Sequence, residues 1–146
     1  MSPKKETFLR LTHYHVTAGL IIQNGKLLIT QRPLNKLFGG LWEFPGGKQQ
    51  EGETLEQCLA REISEELNIN IQIGEKLMSV HHFDGSLNLT LHVFLCDFRS
   101  GELECREVHD FRWTEFSDLD HYKFTKPDQK VIERLKSSCQ ILSLSQ

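Results

Sequence analysis

The sequence predicts a single domain of mixed α/β (α+β) class, a sheet layered with helices as an α/β/α sandwich, and three observations predict it. Hairpin-like strand signals open the chain, an amphipathic helix interrupts them, and after further strands a second helical pattern closes the chain. Hairpins mixed with one central and one terminal helix argue against a doubly wound parallel sheet.

HVTAGLIIQ and KLLITQR are two β-branched, apolar runs joined by Asn24-Gly25, the dipeptide favoured in type I′ turns, so two paired strands come first. PLNKLFGGLWEFPGG holds two prolines and four glycines, too many breakers for a regular element. It reads as a structured loop whose Leu37, Phe38, Leu41, Trp42 and Phe44 tuck against the body. Leu55, Leu59, Ile63 and Leu67 then recur every four residues, the mark of a helix from Thr54 to Leu67. Thr54 and Gln57 have capping-box spacing, and Asn68 tolerates the left-handed conformation that ends a helix. NIQIGEKLMSVHHF and SLNLTLHVFLCDF read as strands about Asp84-Gly85, DFRWTEF as one more, and Asp128 to Lys136 as the closing helix, with Asp128 a natural N-cap.

At 146 residues one well-cored domain is expected over 1–146, its core about 15–136 and its tail 137–146 frayed. A charged fraction of 25% and a hydrophobic fraction of 38%, without a long apolar run, exclude a disordered chain and a membrane span. The N-terminal MSPKKETFLRLTHYHV has no continuous apolar stretch before a small-residue cleavage site, so a cytoplasmic location is expected. Cys58, Cys96, Cys105 and Cys139 are scattered and read as reduced thiols. His13/His15 and His81/His82 suggest metal binding, but no Cys/His set of zinc spacing completes a site. A net charge of -3 leaves no footprint for nucleic acid, so an anionic substrate needs some other attraction.

That attraction is written in GGKQQEGETLEQCLAREISEELNI, which gathers Glu51, Glu53, Glu56, Glu62, Glu65 and Glu66 with only Lys48 and Arg61 as cations. A helix turns about 100° per residue, so Glu62, Glu65 and Glu66 share one sector. Leu55 falls between Glu62 and Glu66 on the same wheel, so the acids overlap the edge of the apolar stripe instead of lying opposite it. Carboxylates crowded there have raised pKa values and destabilise the fold unless a cation neutralises them. Oxygen donors of this kind suit Mg²⁺ or Mn²⁺, ions used in phosphate chemistry. Arg61 is placed to pair with a neighbouring glutamate and fix its rotamer, and Gly46 and Gly47 let a backbone carbonyl approach an ion or phosphate.

The spacing G-x5-E-x7-R-E-x-x-E-E at Gly47, Glu53, Arg61, Glu62, Glu65 and Glu66 resembles the Nudix box of the Nudix hydrolase superfamily, with Ile63 and Ile69 at its aliphatic positions. Asn68 stands where the family usually has glycine. The likeness runs from about His15 through Leu135, and VTAGLIIQNGKLLITQRP, GGLWEFPGGK and DFRWTEF look like the MutT branch, whose members hydrolyse nucleoside triphosphates to a monophosphate and pyrophosphate. The resemblance implies the Nudix fold, a mixed β-sheet sandwiched between helices, with a water attacking the β-phosphorus and Mg²⁺ bridging acidic protein and polyanion.

It also implies roles. The carbonyl of Gly46 or Gly47 and the carboxylates of Glu62, Glu65 and Glu66 look like metal ligands, and Glu53 either reaches a metal through water or anchors Arg61. Glu107, six residues before Trp113, is similar to a MutT acid that acts as ligand or general base. Arg32 looks like a phosphate-binding arginine, Phe44 lies in the part that holds the base, and Asp128 stands where MutT has a base-reading asparagine. An ionised aspartate only accepts hydrogen bonds, whereas a protonated one recovers a donor. His92 in LHVF is placed to line the base pocket, since similar pyrimidine-handling relatives have LHAW there. The leading expectation is a monomeric Mg²⁺-dependent nucleoside triphosphate pyrophosphohydrolase acting on 8-oxo-dGTP or other altered nucleotides. A CTP, dCTP or 5-substituted pyrimidine triphosphatase is the alternative enzyme, and a damaged-base-binding module without catalysis is the alternative of another class.

Overall fold

The computed structural model describes residues 11–138. The frayed end expected for the tail and the thiol of Cys139 fall beyond them. Asn24 and Gly25 both take positive φ, 53° and 76°, as a type I′ turn requires, and join strand β1 (His13–Gln23) to β2 (Lys26–Gln31). β1 and β2 pair only beside this turn, at Ile22↔Leu27 and Gln23↔Lys26, and then part. The N-terminal half of β1, away from the turn, takes β4 (Gly46–Lys48) as its antiparallel partner, while β2 takes β3 (Trp42–Glu43) and β7 (Asp110–Thr114). On its other side β1 runs parallel to β6 (Asn88–Gly101), which pairs antiparallel with β5 (Ile69–Phe83). The result is a mixed sheet of central order β3-β2-β1-β6-β5, open where β1 and β2 separate.

Both faces of the central strands are buried, which explains why their sequences are runs of apolar residues without alternation. Ala18, Leu20, Leu27, Ile29, Leu91 and Val93 point to one side, where Val131, Ile132 and Leu135 of helix α2 (Lys126–Lys136) cover them. Ile21, Leu28, Phe94 and Cys96 point to the other, under Leu59, Ile63 and Leu67 of helix α1 (Leu55–Leu67). This is the predicted layered sandwich. A short 3₁₀ turn, Phe116–His121, leads into α2. Among the described residues no helix is long and apolar enough to cross a membrane.

The helix bounds follow from the caps. Thr54 Oγ1 accepts from Gln57 N at 3.1 Å while Gln57 Oε1 accepts from Thr54 N at 2.9 Å, the reciprocal pair that the sequence predicts. Asn68 closes α1 at φ 61°, ψ 34°. At α2 the expectation fails: the N-cap is Thr125, and Asp128 lies in the first turn, buried. Lys126 and Pro127 extend the helix by two residues because proline suits a first turn, where its missing N–H is not needed.

The loop expected between β2 and α1 contains the two short strands β3 and β4. Its aromatic residues divide. Phe44 is buried and stacks on Phe124, with ring centroids 5.5 Å apart. Leu37 and Phe38, expected to tuck in, are 67% and 41% exposed. Residues 32–41 close on themselves, with Gly40 N donating to Arg32 O at 3.1 Å and Arg32 N to Leu41 O at 2.9 Å. Phe38 and Gly40, at φ 59° and 83°, turn the tip away from the core.

Thr54→Ala removes the α1 cap and is expected to lower stability by about 1 kcal/mol. Urea unfolding would show this as a lower midpoint with the same slope. An unchanged midpoint would mean that Thr54 Oγ1 contributes nothing.

Candidate active site

Helix α1 presents Glu62 and Glu66 half-buried at the edge of its apolar face, as the overlap of stripe and acids predicts, but leaves Glu65 exposed. Arg61 ties them to the preceding loop. Its Nη1 donates to Glu62 Oε1 at 2.9 Å and Glu65 Oε2 at 3.1 Å, its Nε and Nη2 donate to Glu53 at 3.0 and 2.7 Å, and Nη2 also reaches the Lys48 carbonyl at 3.2 Å. Glu53 therefore anchors Arg61. The hydrogen bonds from Arg61, with one from Gln50 N, hold the Glu53 carboxyl down at about 2. Burial pushes Glu62 up, against the pull of Arg61, and it pushes Glu66 well up, reinforced by the charges of Glu43, Glu62 and Glu107.

Gly46 and Gly47 make this edge possible. A Cβ on Gly47 would stand 2.3 Å from Glu62 Cδ, and one on Gly46 1.9 Å from Thr17 O. Gly19 N donates to Pro45 O and Gln49 N to His15 O, and hydrogen-bonded pairs alternate in an antiparallel ladder. Thr17 and Gly47 are then the bonded pair between them, with the Gly47 carbonyl turned toward β1, where it also accepts from Thr17 Oγ1 at 3.3 Å and Cys58 Sγ at 3.4 Å. The Gly46 carbonyl is turned the other way, off the sheet.

Glu107 arrives through the backbone. Arg106 N and Glu107 N donate to Glu66 O at 3.0 and 3.4 Å, and Glu104 N to Leu67 O at 3.0 Å, so residues 104–107 satisfy the last carbonyls of α1. Glu107 thereby joins Glu66 on the wall of an outer cavity of about 730 Å³. The acidic donors gathered here are all hard oxygens, which suit a divalent cation, and Arg32, Lys36 and Arg106 line the same cavity. As the side chains lie, no three acidic, histidine or cysteine side chains among the described residues form an ion-holding group.

On the α2 side of the sheet a second cavity, about 350 Å³, is lined by Val16, Phe38, Phe44, Leu89, Leu91 and Asp128. Arg32, Lys36, Glu43 and Glu66 belong to both cavities and form the neck between them. Arg32 Nη1 bonds both oxygens of Glu43 at 3.3 and 3.2 Å, and its Nε bonds the Leu37 carbonyl at 2.8 Å. Asp128 Oδ1 accepts from Phe44 N at 3.1 Å, and Thr125 Oγ1 donates to Oδ2. Burial, then the nearby charge of Glu43, pushes Asp128 up to about 7; burial also raises Glu43, against Arg32. Sequence reasoning missed Glu43, and its signal was an acid placed alone within the apolar LWEFP.

His92 does not line this cavity. Successive residues of a strand point to opposite faces, and Leu91 and Val93 take the α2 face. His92 lies on the α1 face, where its Nε2 meets His15 Nδ1 at 3.0 Å and its Nδ1 meets Ser79 Oγ at 3.2 Å.

Gly46→Ala is expected to force β4 away from β1, because its Cβ would meet the Thr17 backbone, and to lower the melting temperature more than Gly25→Ala, which has open space around its Cβ and bears only turn strain. Equal melting shifts would refute the close packing at Gly46. Because Asp128 has a higher pKa folded than unfolded, its stabilising proton is fully present below about 4 and is lost as pH rises through about 7. Wild type should therefore lose stability relative to Asp128→Asn between pH 5 and 8 in urea titrations. Parallel profiles would contradict a raised Asp128.

The comparisons agree with this geometry. Residues 11–134 match the NUDIX domain family. The chain is 30% identical over 126 residues to an 8-oxo-dGTP diphosphatase of Buchnera aphidicola, covering 86% of this chain and 95% of that protein. It is 32% identical over 118 residues to a CTP pyrophosphohydrolase of Escherichia coli, covering 81% and 87%. Its fold superposes on the crystal structure of a MutT NUDIX hydrolase from Burkholderia pseudomallei with a TM-score of 0.77 at 26% identity, covering 85% of this chain and 98% of that one. With the acidic helix, its clamping arginine and the glycine-rich edge in place, the chain belongs to the NUDIX domain family, as a MutT-like Nudix hydrolase.

Proposed function

We propose that the chain, one domain acting as a monomer in the cytoplasm, hydrolyses nucleoside triphosphates to the monophosphate and pyrophosphate and removes oxidised nucleotides such as 8-oxo-dGTP. One observation carries the reading: an aromatic cavity ending at Asp128 opens, through Arg32 and Glu66, into a cavity lined by Glu66 and Glu107 together with Lys36 and Arg106. The first has the size and lining for a base, and the second gathers hard oxygen donors for a polyphosphate bridged by metal. Relatives named for 8-oxo-dGTP and for CTP support the substrate class.

Mg²⁺, with Mn²⁺ as substitute, would be held by the Gly46 carbonyl and by Glu62, Glu65, Glu66 and Glu107, and when bound it supplies charge neutralisation and an acidified water. The chain's own residues do the rest. Arg61, fixed by Glu53, holds Glu62 and Glu65 in place, and Arg32 reaches the phosphates from the neck. The water oxygen bonds to the β-phosphorus, the bond from that phosphorus to the α,β-bridging oxygen breaks, and a site carboxylate takes the water proton.

Asp128 reads the base edge. Poised near neutrality, it offers a donor to an oxidised purine when protonated and an acceptor to the exocyclic amine of cytosine when ionised. This favours CTP or dCTP as the second reading. The test is product release from a panel of canonical and oxidised triphosphates with Mg²⁺ and with chelator, at pH 6 and pH 8. The expected result is the highest kcat/KM for 8-oxo-dGTP, falling relative to CTP as pH rises; a preference for CTP at both pH values would establish the pyrimidine reading. Glu66→Gln is expected to lower kcat by about 10²-fold or more with the fold retained. Full activity in a folded Glu66→Gln would sink the metal assignment, and no hydrolysis by wild type would leave a binding module.

A further inference from the structure

Positive charge continues past the neck, which holds Arg32 and Lys36, into the outer cavity, where Arg106 stands on the side away from the base. Lys36 and Arg106 line it, with His109 beside them, and Lys36 makes no ion pair among the described residues. Arg106 is held from an unexpected direction. Asn68 caps α1 in a left-handed conformation that glycine would adopt with less strain. Its side-chain amide donates to the Glu102 carbonyl at 3.2 Å and to Glu104 Oε1 at 3.3 Å. The other oxygen of Glu104 accepts from Arg106 Nε at 3.0 Å. Arg106 and Glu104 are each about half exposed, so their pair adds little stability, but it restricts a long side chain at the cavity wall. The backbone N–H of Arg106 is bonded to the Glu66 carbonyl, so the guanidinium is referenced to the acidic helix at both ends.

We propose that the outer cavity is a terminal-phosphate subsite in which Lys36 and Arg106 bind the γ-phosphate, next to the phosphorus that water attacks, and that Asn68, through Glu104, is the positioning residue for Arg106. The inference rests on the pyrophosphohydrolase reading and deepens it. A nucleotide with its base against Phe44 and its α- and β-phosphates at the neck beside Glu66 places a third phosphate among these cations. A diphosphate leaves the cations unused. The subsite therefore selects triphosphates over diphosphates of the same nucleoside, through charge-assisted hydrogen bonds that only the longer substrate makes. Arg106 provides a planar fork for phosphate oxygens and Lys36 a mobile point charge.

Two measurements on the full chain test this. Calorimetry with inorganic pyrophosphate, at constant Mg²⁺, compares wild type with Lys36→Ala, Arg106→Ala and Asn68→Gly. Steady-state kinetics compare the triphosphate and diphosphate of one nucleoside. Lys36→Ala and Arg106→Ala are each expected to weaken pyrophosphate binding about tenfold and to lower the triphosphate-to-diphosphate ratio of kcat/KM by a similar factor, chiefly through KM. Asn68→Gly should keep the melting temperature, since the cap conformation suits glycine, and reproduce part of the Arg106→Ala loss while adding nothing to it in the double variant. Unchanged pyrophosphate affinity in both cation variants, an unchanged substrate ratio, or a wild type that prefers the diphosphate would overturn the subsite. Additive losses from Asn68→Gly and Arg106→Ala would overturn the positioning role. A wild type that hydrolyses neither nucleotide would refute the function proposed above, and the pyrophosphate titrations would still decide the subsite.

Discussion

Glu62 and Glu66 stand where a hydrophobic layer meets solvent, and the partial burial that keeps them there also makes their charges unfavourable. Arg61 is the cation that the chain supplies. One guanidinium reaches Glu53, Glu62, Glu65 and the Lys48 carbonyl, so the loop before α1, the strand β4 and the helix itself are held in register by a single group. It neutralises only part of the cluster. Glu66 lies beyond its reach and is pressed toward protonation by burial and three neighbouring acids, which is the electrostatic condition under which a second, external cation binds.

The sheet supplies the space. Because β1 and β2 share only two register pairs before separating, β1 is free to bind β4 and β2 is free to bind β3, while β7 pairs along the other edge of β2. The glycines of β4 then pass close to Glu62 and Thr17, where any side chain would collide, and Glu43 of β3 enters the neck. On the α2 side the same separation leaves a cavity into which Phe44 and Asp128 project. Asp128 bonds the backbone of Phe44, so the acid at the end of this cavity and the aromatic ring beside it are held as a unit.

Acids and bases in this site are coupled across elements distant in sequence. Glu43 raises both Glu66 and Asp128, and Arg32 opposes it. The protonation of Asp128 and that of Glu66 are thus linked through the Glu43 carboxylate, and a change in charge at the neck is felt in both cavities.

Local chemistry was legible in the residues alone. The asparagine-glycine hairpin, the capping box of α1, the left-handed end at Asn68 and the acidic sector beside the apolar stripe depend on neighbours within a turn or two, so spacing determined them. The family pattern around Arg61 followed from the same short range. What spacing could not carry was anything that depends on which strand lies beside which. Glu43 reached the neck only because β3 pairs with β2, and His92 stayed out of the cavity beside Phe44 because strand alternation and the parallel pairing of β1 with β6 turn it to the α1 face. Leu37 and Phe38 stayed outside the core because their loop closes on its own backbone, and Thr125 took the cap assigned to Asp128 because burial against Phe44 gives that aspartate another partner. The sequence by itself determined the fold class, both ends of α1 and its acidic sector, since these are set by periodicity and local hydrogen bonding. Tertiary structure decided the two cavities, the neck between them and the proton affinity of Asp128, since these arise from burial and from charges brought together across 84 residues of chain.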